Sequence, residues 1–160
     1  MTQTSSFSLT TPDQGSETLN ATSHHDVIET VIGSMAQNNS AMVLENDQGQ
    51  FWKFQYGSAE VFVQLTGESD EDLLTVWATV LTLPVENETE LFRTLLTRNS
   101  SDTLETRFAL MNDQVVVMQQ RTVADLSPGE ISRAITLVAE VADDNDDDLR
   151  ERFASESSSD

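Results

Sequence analysis

Residues Asp72–Thr97 read DLLTVWATVLTLPVENETELFRTLLT, and the rest of the chain is arranged around this stretch. Side chains alternate along a strand, so Leu74, Val76, Ala78 and Val80 share one side of an extended Leu73–Leu83. Leu73, Trp77, Leu81 and Leu83 share the other. β-Branched and aromatic residues favour a strand here over a helix. A strand apolar on both sides is expected to be covered on both: by the domain's own helices on one, and by a subunit or bound partner on the other. Pro84 has no N–H to give to a ladder and stops the strand. Asn87 and Glu90 then stand at capping-box spacing and open a helix, with Leu91, Phe92, Leu95 and Leu96 on one side of it.

Working back from this stretch, three further strands are indicated. Ala59–Thr66 carries Val61, Val63 and Leu65 in phase. Phe51–Tyr56 alternates Trp52, Phe54 and Tyr56 with Lys53 and Gln55, and Gly57-Ser58 makes the turn between the two strands. Ala41–Glu45 is a short apolar segment before the turn residues Asn46–Gln50, and reads as an optional early strand. Short turns of this kind imply an antiparallel meander. Before it, Ser23 caps a helix in which Val27, Ile28, Val31, Ile32 and Met35 recur at helical spacing, ended by Asn38-Asn39.

Working forward, Leu104, Thr106, Phe108 and Leu110 alternate as a strand buried on one side. Asn112-Asp113 turns it into Gln114–Val123. Ser127-Pro128-Gly129-Glu130 is a strong helix start: Ser as N-cap, Pro at the first position and Glu at the third. The stripe Ile131, Ala134, Ile135, Val138, Val141 and Ala142 continues through Leu149 to Phe153. The predicted order is α-β-β-β-α-β-β-α plus the optional strand, an α+β fold with helices on one face of an antiparallel sheet. Residues 23–154 form one domain in this reading. Residues 1–22, rich in Ser and Thr, and 155–160 read as disordered tails that cannot bury enough to offset ordering entropy.

Composition narrows the function classes. The 160 residues hold no cysteine, which removes disulfides, thiolate metal sites and cysteine nucleophiles. The chain carries 28 acids against 8 bases, a formal charge of −20. Such a surface repels phosphate backbones and anionic lipid, so neither nucleic acid nor membrane is an expected partner. It keeps the chain dissolved and steers basic partners, and it equally suits a salty cytoplasm. Without a basic leader followed by an apolar run, cytoplasm is the default location.

No catalytic constellation is visible. The only two histidines, His24 and His25, are adjacent and diverge on a helix, whereas a zinc pair wants i, i+4 spacing. Nucleophile-elbow, P-loop and dinucleotide motifs are lacking. Glu68, Asp70, Glu71 and Asp72 read as a solvated loop. The run Asp143–Asp148 resembles a calcium loop at Asn145 and Asp147, but Asp148 stands where Gly is required and Ala154 where Glu is required. A solvated helix face is therefore the reading adopted, with no metal and no cofactor. Trp77, with Leu73 and Leu81, invites two readings: a core tryptophan beneath a helix, which is preferred, or an apolar patch that docks another chain.

The runs FWKFQYGSAEVFVQLTGESDEDLLTVWATVLTLPVENETELFRTLLTRN and LETRFALMNDQVVVMQQRTVADLSPGEISRAITLVAEVADDNDDDLRERF resemble the YbjN-domain family, in particular its cyanobacterial branch. The shared cues are the Leu-Pro-Val step after the strand, the helix end at Leu95–Asn99, the core Arg107–Leu110, and the closing helix from Ser127 to Asp147–Leu149. The resemblance covers residues 24–154. It implies the fold of type III secretion chaperones, often dimeric, and binding of other proteins without chemistry, with links to sensory transduction, stress and motility regulation. It supplies no active-site residues. The acidic surface and the Ser/Thr tail depart from the family pattern. The expectation is therefore a non-enzymatic protein-binding adaptor and homodimer, with Leu73, Trp77, Leu81, Leu91, Phe92 and Leu95 as partner-binding residues. The rival is a small-molecule or divalent-cation-responsive module, and a third possibility is a structural subunit of a larger complex.

Overall fold

The computed structural model describes residues 22–36 and 41–154. The expected tails at residues 1–21 and 155–160, and the Asn38-Asn39 helix stop, lie outside the described residues. The elements are α1 (His24–Met35), β1 (Met42–Asn46), β2 (Gly49–Tyr56), β3 (Ala59–Leu65), β4 (Leu73–Thr82), α2 (Glu88–Asn99), β5 (Arg107–Met111), β6 (Gln114–Thr122) and α3 (Pro128–Phe153). The strands form a 6-stranded antiparallel sheet in the order β1-β2-β3-β4-β6-β5. The optional early strand is thus real, and it forms one edge. The predicted order and the α+β class hold.

Each helix begins where its cap dictates. The Ser23 Oγ accepts the Asp26 N–H at 3.1 Å, and the Asn87 side chain accepts the Glu90 N–H at 3.1 Å. At α3 the box is reciprocal: Ser127 Oγ accepts from the Glu130 N–H at 3.2 Å, and Glu130 accepts from the Ser127 N–H at 2.9 Å. Arg121 of β6 adds a 2.6 Å bond to the same carboxylate, which fixes the start of α3 to the sheet.

α3 lies across β3, β4 and β6, with α1 beside it and α2 against β5. The helices share one face of the sheet, and the core fills the space between. From β2 to β6 the sheet contributes Trp52, Phe54, Val61, Val63, Leu74, Val76, Ala78 and Val117, while α3 contributes Ile131, Ile135, Val138 and Leu149. None of the helices among the described residues is long and apolar enough to cross a membrane.

Two strand expectations are corrected. Thr79 pairs with Val116 and Leu81 with Val115, so Val80 is an extra residue, a β-bulge. The inserted residue reverses the alternation, and Leu81 is buried in the helix-side core rather than in phase with Leu73 and Trp77. The strand expected from Leu104 begins only at Arg107. Leu104 has a φ of 51°, outside the extended range, and its side chain is exposed. Thr106 Oγ1 instead donates to the Thr103 carbonyl at 2.7 Å in a local turn.

The turn between β5 and β6 is as expected, Asn112 and Asp113 with φ of 48° and 61°, the two left-handed residues that match a hairpin's twist. Gly49, in the β1–β2 hairpin, has a φ of 113°, and a Cβ there would collide with the Leu65 carbonyl oxygen.

Candidate protein-binding surfaces

The six residues expected to bind a partner do not form one surface. Leu81, Leu91 and Leu95 are buried in the core. Leu73 and Trp77 are half-buried on the face of the sheet that carries no helix. Phe92 is half-buried on α2, on the helix side.

Trp77 is not beneath a helix, which corrects the preferred reading of it. It sits on the helix-free face and stacks on Phe62 of the neighbouring strand, with ring centroids 5.4 Å apart and planes inclined by 12°. Lys53 lies over the same Phe62 ring at 5.7 Å and pairs with Glu60 at 3.2 Å. Phe51, half-buried, and Leu44, exposed, extend this apolar strip to the β1 edge. The centre of the face is closed by small or tightly packed groups. Thr75 is buried and accepts from Gln120 Nε2 at 3.0 Å, and Val116 and Met118 are also buried. This face holds only Lys53, Arg107 and Glu60 as charged strand residues, which leaves it nearly neutral on a chain of net charge −20.

The second apolar surface is a groove of about 350 Å³ between α2 and β5. Phe92, Leu95 and Leu96 line it from the helix, and Phe108, Leu110 and Val115 from the sheet. Leu96 is 70% exposed and Leu110 53%, although both belong to apolar stripes. Asn99 ties the two walls together: its Oδ1 accepts from the Phe108 N–H at 2.7 Å, and its Nδ2 donates to the Phe108 carbonyl at 3.2 Å. The basic side chains add a second distinction. Lys53, Arg98, Arg121, Arg133, Arg150 and Arg152 each reach a carboxylate. Arg93, which shares a surface depression with Leu96, and Arg107, at the start of β5, have no ion pair among the described residues.

The other candidates resolve into structural roles. The N–H groups of His24 and His25 donate to the two oxygens of Glu68 at 2.9 and 3.0 Å, so a loop carboxylate caps the positive end of α1. The His25 ring rests on Trp52 at 5.4 Å. Asp72 accepts from the Ser69 side chain and N–H and from Thr66, and these bonds hold its carboxyl below the usual range. The acidic run lies on α3, as expected. Arg98 of α2 donates to Asn145 at 2.7 Å and to Asp148, Arg150 pairs with Asp146, and Ser58 donates to Asp143. No group of three or more His, Asp or Glu is arranged to hold a metal among the described residues.

Sequence reasoning missed Phe62, Leu96 and Leu110 as surface residues, and Glu68 as a helix cap. Leu110 is exposed because β5 is the last strand of the sheet, and an edge strand leaves one flank uncovered.

An antiparallel six-stranded sheet with its helices on one face is the fold of type III secretion chaperones. Solved structures agree. A chain of the crystal structure of the ExsC–ExsE complex matches with a TM-score of 0.56 at 17% identity, covering 76% of this chain and 89% of that one. A chain of the HopA1–SchA chaperone–effector complex matches with a TM-score of 0.54 at 10% identity, covering 77% and 92%. No curated protein matches in sequence. The profile of YbjN, "Putative bacterial sensory transduction regulator", matches residues 24–151, and the chain belongs to that family.

Proposed function

We propose that this chain is a non-enzymatic adaptor that works in the cytoplasm by binding protein, and that it does so as a pair of identical subunits joined across the α2–β5 groove. The observation that carries the reading is the groove itself: exposed Leu96 and Leu110 beside a half-buried Phe92, next to Arg93, which has no ion pair among the described residues. Exposed apolar groups that converge in a groove mark interaction sites on soluble proteins. A second copy of so acidic a chain brings carboxylates to Arg93 as well as its own Leu96 and Leu110, and an isologous contact uses each of these twice. The family and the fold similarity to a chaperone–effector complex support protein as the ligand class.

In this reading Leu73 and Trp77, with Phe62, receive the client on the helix-free face. Tryptophan is over-represented at the centres of such contacts. Sedimentation of the full chain at tens of micromolar tests the pairing, since a micromolar affinity registers there. A dimer that becomes monomeric in Leu96→Glu or Leu110→Glu, with an unchanged far-UV spectrum, supports the groove. A purely monomeric unaltered chain rejects it. Client capture that survives Trp77→Ala removes the helix-free face from the account.

A further inference from the structure

We propose that the helix-free face takes a basic amphipathic segment of its client, with apolar side chains on a strip of Leu44, Phe51, Phe62 and Trp77 and with lysines or arginines over the loops at one end of the sheet. This rests on the reading that the face receives a client, and it adds the charge that the client's segment carries.

The strip is continuous by register. Leu44 pairs with Phe51, Lys53 with Phe62 and Phe62 with Trp77, so the four apolar residues belong to neighbouring strands and to one face. Three strand spacings of ~4.8 Å make the strip about 14 Å wide. A hollow of about 240 Å³ lies along it, lined by Leu44, Phe51 and Phe62 among others. Lys53, over the Phe62 ring, is already paired with Glu60.

The rim differs from the strip. Gln50 pairs with Leu65, Leu65 with Leu74 and Leu73 with Thr122. The β1–β2 turn and the connections 66–72 and 123–127 therefore leave the sheet at the same end. Asp47, Asp70, Glu71 and Asp125 stand exposed on these three connections, which contain no lysine or arginine. None of the four carboxylates has an ion pair among the described residues. Strip and rim adjoin. Leu73 directly follows the acidic loop, and Phe51 lies two residues, ~7 Å, from Gly49 at the turn.

Charge complementarity selects the occupant. An acidic segment seated on the strip meets these carboxylates with repulsion, and a lysine or arginine just beyond an apolar contact reaches them. Exposed charges separated by more than a Debye length, ~8 Å at physiological salt, are largely screened. The exposed acids of α3 stand behind the sheet, a helix diameter of about 10 Å further off, so the rim supplies the local field.

The test is fluorescence anisotropy at physiological salt with three labelled amphipathic peptides of about 14 residues, ~21 Å as a helix. One combines leucine with lysine, one leucine with glutamine, and one leucine with glutamate. The full chain is compared with three variants, each checked for an unchanged far-UV spectrum. The first neutralises the rim: Asp47→Asn, Asp70→Asn, Glu71→Gln and Asp125→Asn. The second removes as many charges from the exposed side of α3: Glu140→Gln, Asp144→Asn, Asp147→Asn and Glu151→Gln. The third is Trp77→Ala. The unaltered chain is expected to bind the lysine peptide at least about tenfold more tightly than the glutamine peptide, and the glutamate peptide not at all. The rim variant should erase that preference, Trp77→Ala should weaken the lysine peptide at least about tenfold, and the α3 variant should change it less than about threefold. Equal weakening by the rim and α3 variants overturns the proposal, because net charge then explains the binding. A glutamine peptide that binds as tightly as the lysine peptide, and is lost in Trp77→Ala, overturns the basic assignment and leaves the client face standing. A lysine peptide indifferent to Trp77→Ala overturns both.

Discussion

The indole of Trp77 lies nearly parallel to the ring of Phe62, 12° from it, on the one face of the sheet that no helix covers. Stacked aromatic pairs contribute ~0.5–1.5 kcal/mol beyond their buried area. Trp77→Ala is therefore expected to lower unfolding stability by about 1–2 kcal/mol in urea while the fold persists. A loss above about 4 kcal/mol, of the kind seen when a core aromatic is removed, would show that Trp77 is interior after all.

Leu91 and Leu96 stand on the same helix with opposite fates: Leu91 is 0% exposed and Leu96 70%. Leu91→Ala should cost about 2–5 kcal/mol, the range for deleting a buried leucine. Leu96→Ala should stay within about 0.5 kcal/mol at concentrations below any self-association. Chemical denaturation of the two variants side by side checks this, and similar losses in both would contradict the burial of α2.

Gly49 holds a left-handed turn against the backbone of Leu65. Gly49→Ala should loosen the β1–β2 hairpin at a cost of about 1–3 kcal/mol. The measurable sign is faster exchange at Gln50–Phe51, ahead of any change at Val63 or Val76.

Stability should pass through a maximum as the solution is acidified. At pH 7 the −20 chain repels itself, and that repulsion fades toward its pI of about 4.1. The second effect has the opposite sign. The Asp26 carboxyl is held low by its bond to Ser23, Asp72 by Ser69, Glu130 by the Ser127 N–H, and Asp148 by Arg98. A carboxyl whose folded pKa is depressed stabilises the fold above its unfolded value, near ~3.9–4.3, and that contribution is lost as pH falls through the folded value. Urea midpoints should rise gently from pH 7 to about 5 and drop below about pH 4. Salt at pH 7 should raise the midpoint, and Asp72→Asn should flatten the acid limb.

How much of this was legible depends on how local the signal was. α3 is legible at its start because Ser127, Pro128 and Glu130 form a contiguous signal, and near its end because Leu149 and Phe153 resume the apolar stripe beyond the acidic run. The hairpins were legible from Gly57-Ser58 and Asn112-Asp113. Leu81 was misassigned because a bulge at Val80 breaks the alternation, and nothing in LTVWATVLT announces it. Leu104 was misassigned because its side chain fits the pattern while its backbone leaves it. A strand apolar on both sides does not tell which side lies under a helix, so nothing in the sequence around Trp77 puts it on the open face. Which side α3 covers depends on Val76 and Ala78 sharing a core with Ile135 and Val138 about 60 residues further on, a choice no local window contains. The groove at Leu96 and Leu110 was hidden for the same reason, since its walls belong to separate elements.

The placement of α3 has a consequence for synthesis. The helix-side surface of β3 and β4 is complete once residue 82 has left the ribosome, yet the helix that covers it begins at residue 128. Throughout that interval the nascent molecule displays Val61, Val63, Leu74 and Val76 to the cell, in strands able to pair with a neighbour's. Translation speed over residues 83–127, and any holdase that meets the emerging chain, therefore act on the molecule while that surface is open.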